Sequence, residues 1–315
     1  MQDAPNGFDT PMLGLPPQGW LDALEEIAQE HGTFARLGAH HVAALVEDQF
    51  STLLVSFETL QQIQDRDDTG QPLGFELVRE LGWSNLAMVS NGETWFRDPA
   101  IYDYFDHLID EGFFDEFDRV LFYGAGSGGY AAAAFSVAAP GATVLAISPQ
   151  ATLDPRIAGW DTRYTHMRRV SFTDRYGYAP EMIEAAEHGF VLFNPNDTMQ
   201  AMHAALFARA NVTLLQTPYL GDDIEQALVE MQVLYRLLAR AGAGRLDRAS
   251  FAKLFRARRD YQPYLRRLLA MAERKEHYYL QAILCGHVIN RMPAPKFQRK
   301  LDQLDRMASE GRLAG

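Results

Sequence analysis

Six short apolar runs, separated by stretches of helical spacing, occupy the middle of this 315-residue chain. They fall at 53–57, 86–89, 120–123, 143–147, 190–193 and 212–216. Runs of four or five mostly apolar residues fit strands that are covered on both faces. Between them, helical patterns lie at 74–81, 101–111, 130–139, 180–187 and 199–208, with a longer one at 223–240. This alternation predicts an α/β domain built on a mostly parallel sheet of about six strands, with helices on both faces. Right-handed crossovers then gather the loops at the strands' C-terminal ends along one edge, where open α/β sheets bind ligands. Upstream, Leu21, Leu24 and Ile27 give 20–30 a helical period, and 40–48 reads as a second short helix.

The ends of the chain differ from the middle. Residues 1–18 are rich in Pro, Gly and Asn and read as a mobile arm, which leaves 19–243 for the α/β domain. Gly242 and Gly244 mark a break, and only helical patterns follow, at 250–259, 264–273, 277–290 and 296–309. An all-α extension is therefore expected over 244–315. The last 71 residues, from Arg245, hold 16 Lys and Arg against 7 Asp and Glu, whereas the rest of the chain holds 13 against 34. A surplus of nine positive charges beside a deficit of 21 suggests two units with different surroundings. The acids and apolar residues within the tail argue against a polybasic arm, so docking on the acidic body is expected and a nucleic-acid partner is not. No apolar run approaches the ~20 residues of a membrane span. The N-terminus lacks a basic segment followed by an apolar core, and Cys285 is the one cysteine. Both observations point to a reducing cytoplasm.

Gly124-Ala125-Gly126-Ser127-Gly128-Gly129 joins the third of the six apolar runs to the helix that follows. Two mechanisms call for glycines there. Gly124, Gly126 and Gly129 have the G-x-G-x-x-G spacing that lets a pyrophosphate approach a helix N-terminus, as in an NAD(P)-binding domain. Ser127 and Gly129 satisfy instead the spacing of a nucleophile elbow, in which a strained turn exposes a serine hydroxyl above the sheet. A dinucleotide site wants an acid at the tip of the next strand. That strand ends in Ser148-Pro149-Gln150, and two strands precede the turn, so the elbow geometry is preferred and no cofactor is expected.

The stretch from Phe122 to Ala132, with Ala146-Ile147-Ser148-Pro149-Gln150, Asp154-Pro155 and Asn196-Asp197, resembles a group of bacterial α/β-hydrolase-like proteins. Those carry a Y-G-S-S-M-G-G-Y-A-A-type elbow and often accompany glycosyltransferase or surface-polysaccharide genes. The resemblance spans roughly residues 50–230 and implies an α/β-hydrolase fold, with a place in glycan or polysaccharide metabolism. It admits two registers. Matching Gly128-Gly129-Tyr130 to the family's G-G-Y puts Gly126 where the nucleophilic serine stands; matching on the serine makes Ser127 the nucleophile. Some chains of this kind carry the label phosphoadenosine phosphosulfate reductase. Leu284-Cys285-Gly286-His287 faintly matches that enzyme's E-C-G-L-H motif, but its phosphate-loop acid and serine are missing after Gly129.

A serine nucleophile needs a histidine base and a carboxylate to orient it. Asp197, past the 190–193 strand, is the expected acid, although the same residue can cap the next helix. The expected histidine position, loop 217–223, holds none and reads Gly221-Asp222 where a family member offers Gly-His. His203, in the helix after Asp197, and His166, in the insertion after Gln150, are the substitutes. Backbone N–H groups after Ser127 and near Phe57 would complete an oxyanion hole, with Gly126, Gly128 and Gly129 lining the site. Arg156, Arg163, Arg168, Arg169 and Arg175 crowd one insertion, and Arg168 with Arg169 are expected to hold a carboxylate, phosphate or sulfate. Two functions remain open: a serine esterase or acyl-transfer enzyme acting on a small substrate, or a catalytically degenerate relative that binds an anionic ligand or partner.

Overall fold

The computed structural model describes residues 8, 10–47 and 51–310, apart from the side chain of residue 168. These form two compact units. The first holds the described residues up to Pro218 together with Asp222–Leu254, and the second holds Tyr219–Gly221 with the described residues from Phe255 onward.

One eight-stranded sheet organises the first unit. Its strands are β1 (Gly32–Leu37), β2 (His41–Val46), β3 (Thr52–Thr59), β4 (Ser84–Ser90), β5 (Arg119–Ala125), β6 (Thr143–Ile147), β7 (His188–Phe193) and β8 (Val212–Gln216). They are ordered β1-β2-β4-β3-β5-β6-β7-β8. From β4 through β3 to β8 every neighbouring pair is parallel, whereas β2 runs antiparallel to both β1 and β4. The sheet thus has eight strands where six were expected. The two extra ones form a hairpin ahead of the others, and β2 covers the segment expected to be the helix 40–48; residue 48 itself lies outside the described residues. All six residues of β2 are buried. A strand covered on both faces shows no polar alternation, and its alanines suit a helix equally well, so periodicity cannot tell the two apart.

Both faces of the sheet carry apolar layers, as the strand pattern requires. Along β2, Ala43 and Leu45 join one core, with Leu53, Val55 and Phe57 of β3 and the helices Pro99–Asp110 and Ser127–Phe135. Val42, Ala44 and Val46 point the other way, into a core with Trp20, Leu24 and Ile27 of the helix Pro17–His31. The expected arm at 1–18 is partly packed into that second core: Phe8 stacks on Phe75 at 4.9 Å and Met12 is fully buried, while 1–7 and 9 lie outside the described residues. The helix expected at 223–240 is two helices, Ile224–Glu230 and Leu234–Gly242, separated by Gln232 at φ +57°.

In the second unit, the helices Gln262–Arg274, Tyr278–Ile289 and Pro295–Ser309 each bury part of one side, through Leu265 and Leu269, Cys285 and Val288, and Phe297 and Leu304 respectively. Cys285 is fully buried, and burial pushes its thiol up from the ordinary range, the state of an inert core cysteine. Among the described residues no helix is long and apolar enough to cross a membrane.

Candidate functional site

The C-terminal ends of the parallel strands open into a cavity of about 680 Å³, walled in part by Ala125 and Gly126 after β5 and by Ile147, Ser148 and Gln150 after β6. Its shape begins with the turn that follows β5. A Cβ on Gly124 would sit 2.2 Å from the carbonyl oxygen of Gly128, and one on Gly128 would sit 2.1 Å from that of Phe57. One on Gly129 would come within 2.9 Å of the Ile147 oxygen. These glycines let the helix Ser127–Phe135 enter directly over the sheet, and Ala131, Ala132, Ala133 and Ala134 keep it close. Gly128, Gly129 and the Phe57 ring are therefore packing elements. The Phe57 ring is buried among Phe96, Phe105 and Phe135.

Gly126 differs from its neighbours. It stands at φ +57°, ψ −119°, outside every ordinary well for an L-residue, and a Cβ there would meet nothing within 4 Å. The strained apex of the turn, where an elbow displays its nucleophile, is thus a glycine facing open space. Ser127 is the first residue of the helix. Gly126 rather than Ser127 therefore holds the positive-φ corner of the turn.

The other triad candidates are occupied by local partners. Asp197 caps the helix Thr198–Leu206, accepting from the N–H groups of Met199 at 2.8 Å and Gln200 at 3.1 Å. His203 is fully buried; its Nδ1 accepts from the Ala151 N–H at 3.1 Å, and its Nε2 lies 2.9 Å from the Asp161 carboxylate. Burial lowers the His203 pKa, partly offset by Asp161, so a neutral ring donates from Nε2. Burial alone would raise Asp161, but hydrogen bonds from Arg163, followed by that from His203, hold it at about 2. With both ring nitrogens engaged, His203 has none left for a hydroxyl. His166 is exposed and pairs with Glu93 at 2.7 Å. In loop 217–223, Asp223 caps the helix Ile224–Glu230 through the Gln226 N–H at 2.9 Å. Ser127, Asp197, His203 and His166 are not joined by hydrogen bonds into a relay.

The arginine insertion is largely paired with the chain's own acids. Arg156 is bidentate to Asp154, Arg163 to Asp161, and Arg175 reaches Asp106 at 2.6 Å. Arg169 is exposed, and the side chain of Arg168 lies outside the described residues.

Three features of the cavity wall escaped the sequence reading. Buried Arg66 pairs with buried Glu58, which also accepts from the Leu73 N–H. Burial works against the charge on Arg66, but Glu58 and then Glu225 hold its pKa above the ordinary value. Fully buried Tyr123 donates its hydroxyl to Glu225, whose own pKa is raised by burial. Ser148 takes φ +47°, a conformation that costs a non-glycine residue roughly 1–3 kcal/mol, and donates to Gln200 Oε1 at 3.1 Å. Only the strand end Ser148-Pro149-Gln150 gave any sequence signal; Arg66 sits in a polar helix like any surface cation. Among the described residues no group of three or more His, Cys, Asp or Glu side chains is placed to hold a metal ion.

No protein-family model matches the chain. No curated relative matches it. Among solved structures it is similar to the capsule O-acetyltransferase of Neisseria meningitidis serogroup A, at 12% identity and a TM-score of 0.42, over 66% of this chain and 93% of that one. It is similar also to carboxyl esterase 2 of the mycorrhizal fungus Tuber melanosporum, at 12% identity and 0.43, over 71% and 83%. A third is a glycosylation-associated protein complex of Streptococcus agalactiae, at 11% identity and 0.44, over 66% of this chain and 46% of that one. The activities named for these proteins are theirs.

Proposed function

We propose that the chain is an α/β-hydrolase-like protein that binds a small molecule in the cavity at its strand ends without hydrolysing it. The observation that carries this reading is the glycine at the apex of the elbow. Gly126 has the strained dihedral angles that a nucleophile adopts and no side chain to attack with. Supporting it, the His203 nitrogens are both bonded, and the Thr59 N–H at the end of β3 is held by Gln62 Oε1 at 2.9 Å, away from any oxyanion. The free, buried Cys285 fits residence in a reducing compartment.

Treatment with a fluorophosphonate probe tests the reading. Wild type should label no more than Ser127→Ala or heat-denatured protein, and should leave p-nitrophenyl acetate untouched. Labelling of wild type that disappears in Ser127→Ala would make the chain a serine enzyme and end the proposal.

A further inference from the structure

We infer that the helix Tyr278–Ile289 is a docking face for an anionic phospholipid bilayer, on which the chain rests without crossing it. From His277 to Asn290 the sequence holds no Asp, Glu, Lys or Arg. Gln281, Cys285 and Val288 turn inward and are buried. Tyr279, Leu280 and Ile283 turn outward, at 77%, 51% and 51% exposure. They are the three most exposed large apolar side chains among the described residues. Gly286, at the next turn after Ile283, belongs to the same open side, since a Cβ on it would meet nothing within 4 Å. A helix that is apolar all round is ordinarily covered all round. The outward side of this one is bare, and a contiguous apolar patch of that kind marks an interaction surface.

The charge around the patch points to its occupant. Residues 255–315 hold 13 Lys and Arg against 6 Asp and Glu, a surplus of seven positive charges. Arg291 is held by Asp260 and Lys300 by Glu273. Arg274 and Lys275, just before the helix, and Lys296, just after it, are exposed and have no ion pair among the described residues. An apolar centre between free cations is complementary to an anionic bilayer. Leu280 and Ile283 enter the acyl boundary, Tyr279 sits at headgroup level, and the cations meet lipid phosphates. A second copy of the chain is a poorer occupant, because two such units face to face would oppose their own positive charge. A folded acidic protein is poorer too, because the side of one helix is convex and gives an anchor no pocket. The whole chain carries a net charge of −12, so bulk attraction to anionic vesicles is not expected and any adsorption must come from a local surface.

Flotation of the full chain with vesicles of phosphatidylcholine, alone or mixed with phosphatidylglycerol, tests this directly. The bound fraction should be at least about fivefold higher on the mixed vesicles, and should fall severalfold as salt rises from about 0.05 to 0.5 M. Ile283→Glu puts a charge into the patch and should lower binding about tenfold. Arg274→Glu with Lys275→Glu should lower it about fivefold. Ile109→Glu, at an exposed apolar residue of the first unit, should leave it unchanged. Absence of flotation, equal binding to both kinds of vesicle, or an equal loss in Ile109→Glu would overturn the assignment. So would binding undiminished by Ile283→Glu (by Tyr279→Ser, should the first variant not fold). A chain that stays off vesicles and sediments as a dimer, split by Ile283→Glu, would give the face to a second copy instead. The assignment concerns the second unit alone and stands or falls apart from what the cavity binds.

Discussion

Two buried polar pairs stand in contrast. His203, a candidate base in the sequence, pairs with Asp161, and the pair is chemically closed: Ala151 and Asp161 engage both ring nitrogens of His203, and Arg163 holds Asp161. Arg66 with Glu58 has no recognisable motif, yet Arg66 lines the cavity and its buried Nη1 has no hydrogen-bond partner among the described residues. Likeness to a motif reports which residue types are present; availability depends on what tertiary packing has already bonded. In this chain the two point to different residues.

The largest test of that contrast removes the open cation. Arg66→Met should destabilise the first unit by about 3–5 kcal/mol, because Glu58 is left charged, buried and unpaired. Adding Glu58→Gln to it should recover part of the loss. Asp161→Asn should cost less than Arg66→Met, since the cation it frees, Arg163, is about one-third exposed and can be hydrated. Urea unfolding of the three variants gives the ranking. Equal losses for Arg66→Met and Asp161→Asn would erase the distinction between an open and a closed pair.

Much of the fold was legible because parallel strands announce themselves as apolar runs, and all six expected runs are strands of the sheet. The hairpin was hidden for the same reason in reverse. β1 is a half-exposed edge strand with Arg36 among its residues, and β2 is an alanine-containing run with no alternation. The site was legible as a place rather than as chemistry. The glycine spacing located the turn, but the backbone dihedral angles that set Gly126 apart from Ser127 are encoded by no composition or period. Arg66 was invisible, and Gln150 visible only as part of a strand-end motif, because an unmet hydrogen bond is a property of neighbours distant in sequence, such as Glu225 beside Arg66.

The turn itself gives a test of intermediate size. Gly128→Ala forces a methyl against the Phe57 carbonyl, 2.1 Å away, and should cost about 1–3 kcal/mol by overpacking. Gly126→Ala meets no atom and pays only for its sparsely populated dihedral angles, about 1–3 kcal/mol. Thermal or urea unfolding of the pair distinguishes a sealed glycine from an open one. A larger loss for Gly126→Ala would mean that the apex is not facing open space.

The smallest expected effect concerns acid. The His203 pKa lies below its ordinary 6.5 in the folded chain, so the unfolded chain takes up that proton more readily. The stability that neutral His203 contributes is complete above pH 6.5 and is lost as the pH falls through the window beneath it. His41, lowered by burial as well, shares that window. Asp161 behaves in the same sense but later: held at about 2 against an ordinary 3.8, it keeps its contribution until about pH 4 and loses it toward 2. His203→Gln removes one of the two histidine contributions, so its loss of stability between about pH 6.5 and 5 should be smaller than that of wild type, by roughly 0.5–1 kcal/mol. Urea midpoints at the two pH values measure this. An unchanged slope would mean that His203 accepts a proton in the folded state as easily as in the unfolded one, and the pair would then no longer count as closed.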